Sequence, residues 1–158
     1  MAAEYVHEVA ELGKEVLSTF TQFVLSRKLV DHRLEALLAT ISITTSILVT
    51  LGSTIDKYEN DYYVRDEILR PVCETCEADF QHLIAVSETA KENGGWITDR
   101  RVGGEPMATE VDPWFVLNMT LGPEKADTFW SRLNQTRQTL AALNDVLKYK
   151  ILRELERE

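Results

Sequence analysis

Ala36-Leu-Leu-Ala-Thr-Ile-Ser-Ile-Thr-Thr-Ser-Ile-Leu-Val-Thr-Leu-Gly-Ser-Thr-Ile55 is a run of twenty residues without one charged side chain. A stretch of about 20 apolar residues is long enough to cross a bilayer, and it is also long enough to run through a protein core. Composition favours the core. Thr40, Ser42, Thr44, Thr45, Ser46, Thr50, Ser53 and Thr54 carry eight hydroxyls, and Gly52 weakens the helix further. The apolar residues are patterned as well: Leu34, Leu37, Ile41, Leu48, Leu51, Ile55 and Tyr58 recur three or four apart, with Thr44 in the one polar slot. A helix packed on other helices needs such a stripe, whereas one surrounded by lipid does not. The run therefore reads as a buried helix over 31–59, with Asp31 as its N-cap.

Working outward, three more segments have helical period. The first covers 3–28, with Val6, Val9, Val16, Phe20 and Phe23 on one stripe, early acids and a basic end at Arg27 and Lys28. No Pro or Gly separates it from the central helix, and one heptad register runs through both, Gly13 and Arg27 being its poorer slots. The two segments form either a hairpin with a turn near 28–31 or one rod. At 1.5 Å per residue the rod would reach about 85 Å, too long for a compact domain, so the hairpin is expected.

The third helix covers 65–93, with Leu69, Val72, Cys73, Cys76, Phe80, Leu83, Ser87 and Ala90 inward. Pro71 suits only a first turn, so regular helix either starts near Arg70 or starts near Arg65 and kinks. Asn93-Gly94-Gly95 closes it. The fourth covers 123–157, with Phe129, Leu133, Thr136, Leu140, Leu143, Leu147, Ile151 and Leu155 inward and no stop signal at its end. That open end reads as part of a longer protein or a continuing coiled coil. Between helices three and four, 94–122 is a long Gly-, Pro- and Trp-containing loop, with a short helix possible over 112–120 that would bury Trp114 and Phe115. Connections of this length tend to be functional or disordered.

The 158 residues suit one domain over 1–158. With 17 Lys and Arg against 26 Asp and Glu, net charge −9, the chain is a poor match for nucleic acid. Only Cys73 and Cys76 are present, and Glu4, Glu8 and Glu11 interrupt the place of a secretory signal. A reducing, cytoplasmic setting follows, and the sequons at Asn118 and Asn134 read as chance matches.

Chemistry finds little support. Cys73-Glu-Thr-Cys76 has redox spacing, but no strand precedes it and both sulfurs fall on an apolar helix face, which suits buried structural thiols. Zinc would need two further ligands, and His82 lies off the cysteine face while His7 and His32 belong to other helices. The inner stripes carry no Glu or Asp, which argues against a carboxylate di-metal centre. Phosphate-cradling and nucleophile-elbow motifs are absent. No catalytic residue, metal or cofactor is expected.

Two stretches, Leu34 to Gly52 with its spaced leucines and Thr45-Ser-Ile-Leu48, and Cys73-Glu-Thr-Cys-Glu-Ala-Asp-Phe80, together resemble fungal helical N-terminal domains. In those domains a Cys-x-x-x-Phe element, here Cys76 and Phe80, follows such a leucine-rich helix. Phe129 to Leu143 looks like the family's final helix, with Arg137 or Gln138 where the family carries Lys. The resemblance covers 34–147. It implies a non-catalytic, all-helical module at the head of a fungal cytosolic protein, some relatives being ankyrin- or nucleotide-binding-domain-associated, immune-receptor-like signalling proteins.

The expected architecture is an all-α, antiparallel four-helix bundle with a long loop between helices three and four and an extended C-terminal helix. Phe20, Leu34, Leu37, Ile41, Leu48, Leu51, Ile55, Cys76, Phe80, Leu83, Phe129, Leu133, Leu140 and Leu147 form its expected core. The expected function is a scaffold or signalling module that binds a protein partner, or itself, through helices. Trp96, Arg100, Arg101, Ile151 and Leu155 are the candidate partner contacts. The alternative is a membrane-permeabilising bundle of the fungal cell-death type, which would release its uncharged helix into lipid.

Overall fold

The computed structural model describes residues 2–25, 32–58, 66–92, 97–102, 105–110 and 126–157. Among the described residues four helices carry the fold: α1 (Ala2–Leu25), α2 (His32–Tyr58), α3 (Asp66–Glu92) and α4 (Ala126–Arg157). They fall within a few residues of the spans expected from periodicity, the usual uncertainty of helix ends. α3 runs through Pro71, which removes one backbone donor near its start; Thr75 Oγ1 donates to the Pro71 carbonyl at 3.0 Å. The expected irregular connection contains a hairpin, β1 (Ile97–Val102) antiparallel to β2 (Glu105–Glu110), with Arg100 opposite Met107. The short helix expected over 112–120 lies outside the described residues.

Contacts between named residues give the directions. His7 meets Asp56, and Gly13 faces Thr45, so α1 and α2 run antiparallel as a hairpin and not as one rod. Tyr5 interacts with Cys73, Glu74 and Glu77 while Gly13 faces Phe80, so α1 and α3 run the same way. Asp79 reaches Arg132 and His82 packs on Phe129, so α4 runs against α3. Packing joins α1 to α2 and α3, and α4 to α2 and α3, leaving two diagonals. Helices therefore alternate in direction along the chain, while each has one parallel and one antiparallel neighbour in space.

α2 earns its central place by packing. Leu34, Leu37, Ile41, Leu48, Leu51 and Ile55 are all buried. Its threonines cost little inside because their hydroxyls bond back to the helix: Thr44 Oγ1 donates to the Thr40 carbonyl at 2.7 Å and Thr45 Oγ1 to the Ile41 carbonyl at 2.8 Å. Hydroxyls satisfied this way would be equally satisfied in lipid, so the packed stripe separates the two environments better than the hydroxyl count does. By length and composition alone, His32–Lys57 could cross a bilayer.

Two glycines let helices approach. A Cβ at Gly13 would run into Thr45 Oγ1 and stand 2.9 Å from Phe80 Cε2; one at Gly52 would stand 2.8 Å from the His7 ring. Both positions look like weak slots in the pattern, and both are places where a neighbouring side chain fills the space a Cβ would take.

Candidate interaction surface

All fourteen expected core residues are buried, from Phe20 on α1 to Leu147 on α4. Cys73 and Cys76 are thiols outside any disulfide and both are fully buried. Burial pushes the Cys76 thiol up, with Cys73 and Asp79 adding to it, the reverse of what a nucleophilic or redox thiol requires. Among the described residues no three His, Cys, Asp or Glu side chains come together in a way that could hold a metal.

One expectation about the interior is overturned. Asp79, on α3, is only 2% exposed, so the inner faces do carry an acid. Its partner is Arg132 on α4, whose Nε stands 3.0 Å and Nη2 2.5 Å from Oδ1. The Arg132 guanidinium also lies 5.4 Å from the Phe129 ring centre, and the His82 ring meets the same ring edge-on at 6.2 Å. The pair is a fork that ties α3 to α4 at one register. A spacing signal existed: Val72, Asp79 and Val86 are seven apart, so the acid sits in the inner heptad slot of its apolar neighbours.

Burial raises the Asp79 carboxyl above its usual value of 3.8, against the lowering pull of Arg132 and then His82. The folded chain thus holds this proton more tightly than the unfolded chain. Its contribution to stability is full below that usual value and falls as pH rises through the raised folded value. Asp79→Asn, which does not titrate, should gain on the wild type as pH climbs from about 3 to 7. Denaturant melts across that range would read the gap, and a constant gap would contradict this assignment.

A second polar position was also missed. On α4 the inner stripe runs Leu140, Asn144, Leu147, Ile151, with Asn144 buried and Leu143 only partly so. Asn144 Oδ1 has no hydrogen-bond partner among the described residues. Between α2 and α4, Trp130 Nε1 donates to Thr40 Oγ1 at 3.3 Å, so this tryptophan plugs the interface and spends its N–H there. Asn134 lies against Thr40 in the same seam, a poor place for a glycan acceptor.

Along α1 and α3, Glu8, Glu11, Lys14, Glu15, Glu77 and Gln81 line an open groove over Leu12. Lys14 is already paired with Glu11 at 2.7 Å. Burial, with Glu77 alongside, pushes the Tyr5 hydroxyl up to about 12, so it stays protonated. This groove is a solvated polar seam with no converging acid and base.

The candidate contacts separate. Arg100 and Arg101 lie on β1, their backbones opposite Met107 and Pro106, and Trp96 lies outside the described residues. Ile151 is 6% exposed and belongs to the core, contrary to its place among the contacts. Leu155, expected inward, is 51% exposed, and the sequence reading missed its companions Val146, Tyr149 and Leu152, all more than half exposed. These four step three residues at a time, which winds them off the inner stripe and round the open side of α4. The signal was their leftover apolar character once Leu147 and Ile151 had filled the core. Compared with family models, curated proteins and solved structures, the chain matches none.

Proposed function

We propose that this chain is a non-catalytic helical interaction module, acting as a scaffold or signalling domain that packs helices against a protein partner. The supporting observation is the distal end of α4, where Val146, Tyr149, Leu152 and Leu155 stand exposed on a helix of 32 residues. Exposed apolar residues that wind in consecutive turns round the open side of one helix suit capture of a partner helix that crosses it. The resemblance of 34–147 to fungal helical N-terminal domains supports a signalling context and a cytoplasmic setting within this reading.

The test pairs the wild type with Leu152→Glu/Leu155→Glu in affinity capture and binding titration. Both positions are exposed, so melting should move by no more than about 0.5 kcal/mol. Binding should weaken by roughly tenfold or more for each leucine whose burial is lost. Partner recovery equal to the wild type would overturn the reading.

A second reading, a bilayer-permeabilising bundle, is favoured by α2 alone, since His32–Lys57 is long and apolar enough to span. It predicts dye release from anionic vesicles. Intact vesicles at high protein concentration would remove it.

A further inference from the structure

The open face of α2 has an order that its packing in the bundle does not explain. Ser46 lies at its centre, and every exposed residue from Ala39 to Ser53 is uncharged. The pattern is symmetric about that serine. Ile43 and Val49 lie three residues either side, Ser42 and Thr50 four, Ala39 and Ser53 seven. At about 100° per residue all of them fall within about 60° of the Ser46 direction. Ile43 is 48% exposed and Val49 37%. Eleven residues either side of Ser46, on the same line and also exposed, stand Glu35 and Lys57, opposite charges that close the two ends of the seam.

We propose that α2 is a self-association helix, across which a second copy of this chain lies antiparallel with the twofold axis at Ser46. Ile43 then packs on the partner's Val49, and Glu35 faces the partner's Lys57, each contact occurring twice as an isologous interface requires. The small residues Ala39, Ser46 and Ser53, seven apart, allow the two helices to approach closely. Charge sets the direction. A parallel pair would put Glu35 on the partner's Glu35 and Lys57 on the partner's Lys57, whereas the antiparallel pair matches opposite signs.

Charge also selects this face over the others. The chain carries −9, so two copies repel at range and meet at least cost where both are uncharged. The distal face of α4 is less suited to a copy. About the midpoint of its exposed apolar set, an antiparallel copy would bring Asp145 to the partner's Glu156 and Lys148 to the partner's Arg153, like on like. That face fits a partner of different sequence. The α2 seam, about 33 Å from Glu35 to Lys57, buries on the order of 1,000 Å² in total, at the low end for a specific interface. Dissociation in the micromolar range is expected.

This inference deepens the interaction reading and can fail separately from it. Sedimentation of the full chain from about 1 to 200 µM, a span centred on micromolar affinity, should show a monomer–dimer equilibrium. Ser46→Glu, an exposed substitution that sets two like charges on the axis, should weaken it tenfold or more with melting unchanged. Glu35→Lys and Lys57→Glu should each weaken it, and the double exchange should restore it.

Direction is read by cross-linking, with the buried Cys73 and Cys76 as spectators in a wild-type control. Ser46→Cys should form a disulfide with its own copy. Ala39→Cys and Ser53→Cys should cross-link when mixed and not when alone. A monomer throughout, a dimer indifferent to Ser46→Glu, or Ala39→Cys pairing with itself would overturn the inference, as would partition of α2 into neutral or anionic vesicles. If dimerisation fails while Leu152→Glu/Leu155→Glu still abolishes partner binding, the interaction reading stands and the self-association falls.

Discussion

Replacing Arg132 with Met should destabilise the folded chain by about 3–5 kcal/mol at neutral pH, a large share of the total stability of a domain this size. Asp79 is 2% exposed and takes its charge compensation from the Arg132 fork. Methionine replaces the aliphatic stem but none of the donors, so a carboxylate stays in the interior without them. Protonation relieves this, so the deficit should shrink as pH falls below the raised Asp79 value. The opposite deletion is milder. The Arg132 side chain is 36% exposed and can reach water, so Asp79→Asn should cost about 1 kcal/mol, the scale of an ordinary hydrogen bond. Replacing both with apolar residues should be near neutral, because neither charge is then left behind. Denaturant melts of the three variants at pH 4 and pH 7 decide the matter. Equal losses for Arg132→Met at both values, or a loss under about 1 kcal/mol at neutral pH, the size of an ordinary surface effect, would refute the assignment.

Phe80→Ala should cost about 3–5 kcal/mol, the transfer term of a fully buried ring plus the cavity it leaves. The ring does more than fill volume. It stands where a Cβ at Gly13 would come to 2.9 Å of Cε2, with Thr45 closing the other side. Gly13→Ala alone should therefore cost about 1–3 kcal/mol from overpacking, despite the gain of about 1 kcal/mol in helix propensity. Against the Phe80→Ala background that cost should drop, since one of the two obstructions is gone. The double-mutant cycle by denaturant unfolding reads the difference. Simple additivity would mean that Thr45, the nearer obstruction, sets the whole cost at Gly13 and Phe80 none of it.

These positions show where pattern reading succeeds and where it stops. Leu34, Leu37, Ile41, Leu48 and Ile55 were legible because a helix that buries one face must repeat its apolar residues every three or four positions. Asp79 occupies the same kind of slot as Val72 and Val86. Periodicity alone leaves it off the inner stripe because an acid inside is excluded unless a partner reaches it, and the partner is 53 residues away. Asn144 and Leu143 are adjacent on α4, about 100° apart, and either could face inward until the packing of α4 on α2 and on α3 selects one. Val146, Tyr149, Leu152 and Leu155 differ from Leu147 and Ile151 in standing exposed, with no described helix packed on their side.

Periodicity, charge content and cysteine usage by themselves determined four amphipathic helices, their approximate limits and most of the buried residues, because those properties depend on near neighbours along the chain. Tertiary structure decided which helices lie side by side, that α1 and α3 run parallel, that Gly13 and Gly52 are contact points and that Asp79 has a cation within reach. Each of these depends on the distance between residues far apart in sequence. Spacing along one helix records which way a side chain points and carries no record of what stands opposite it.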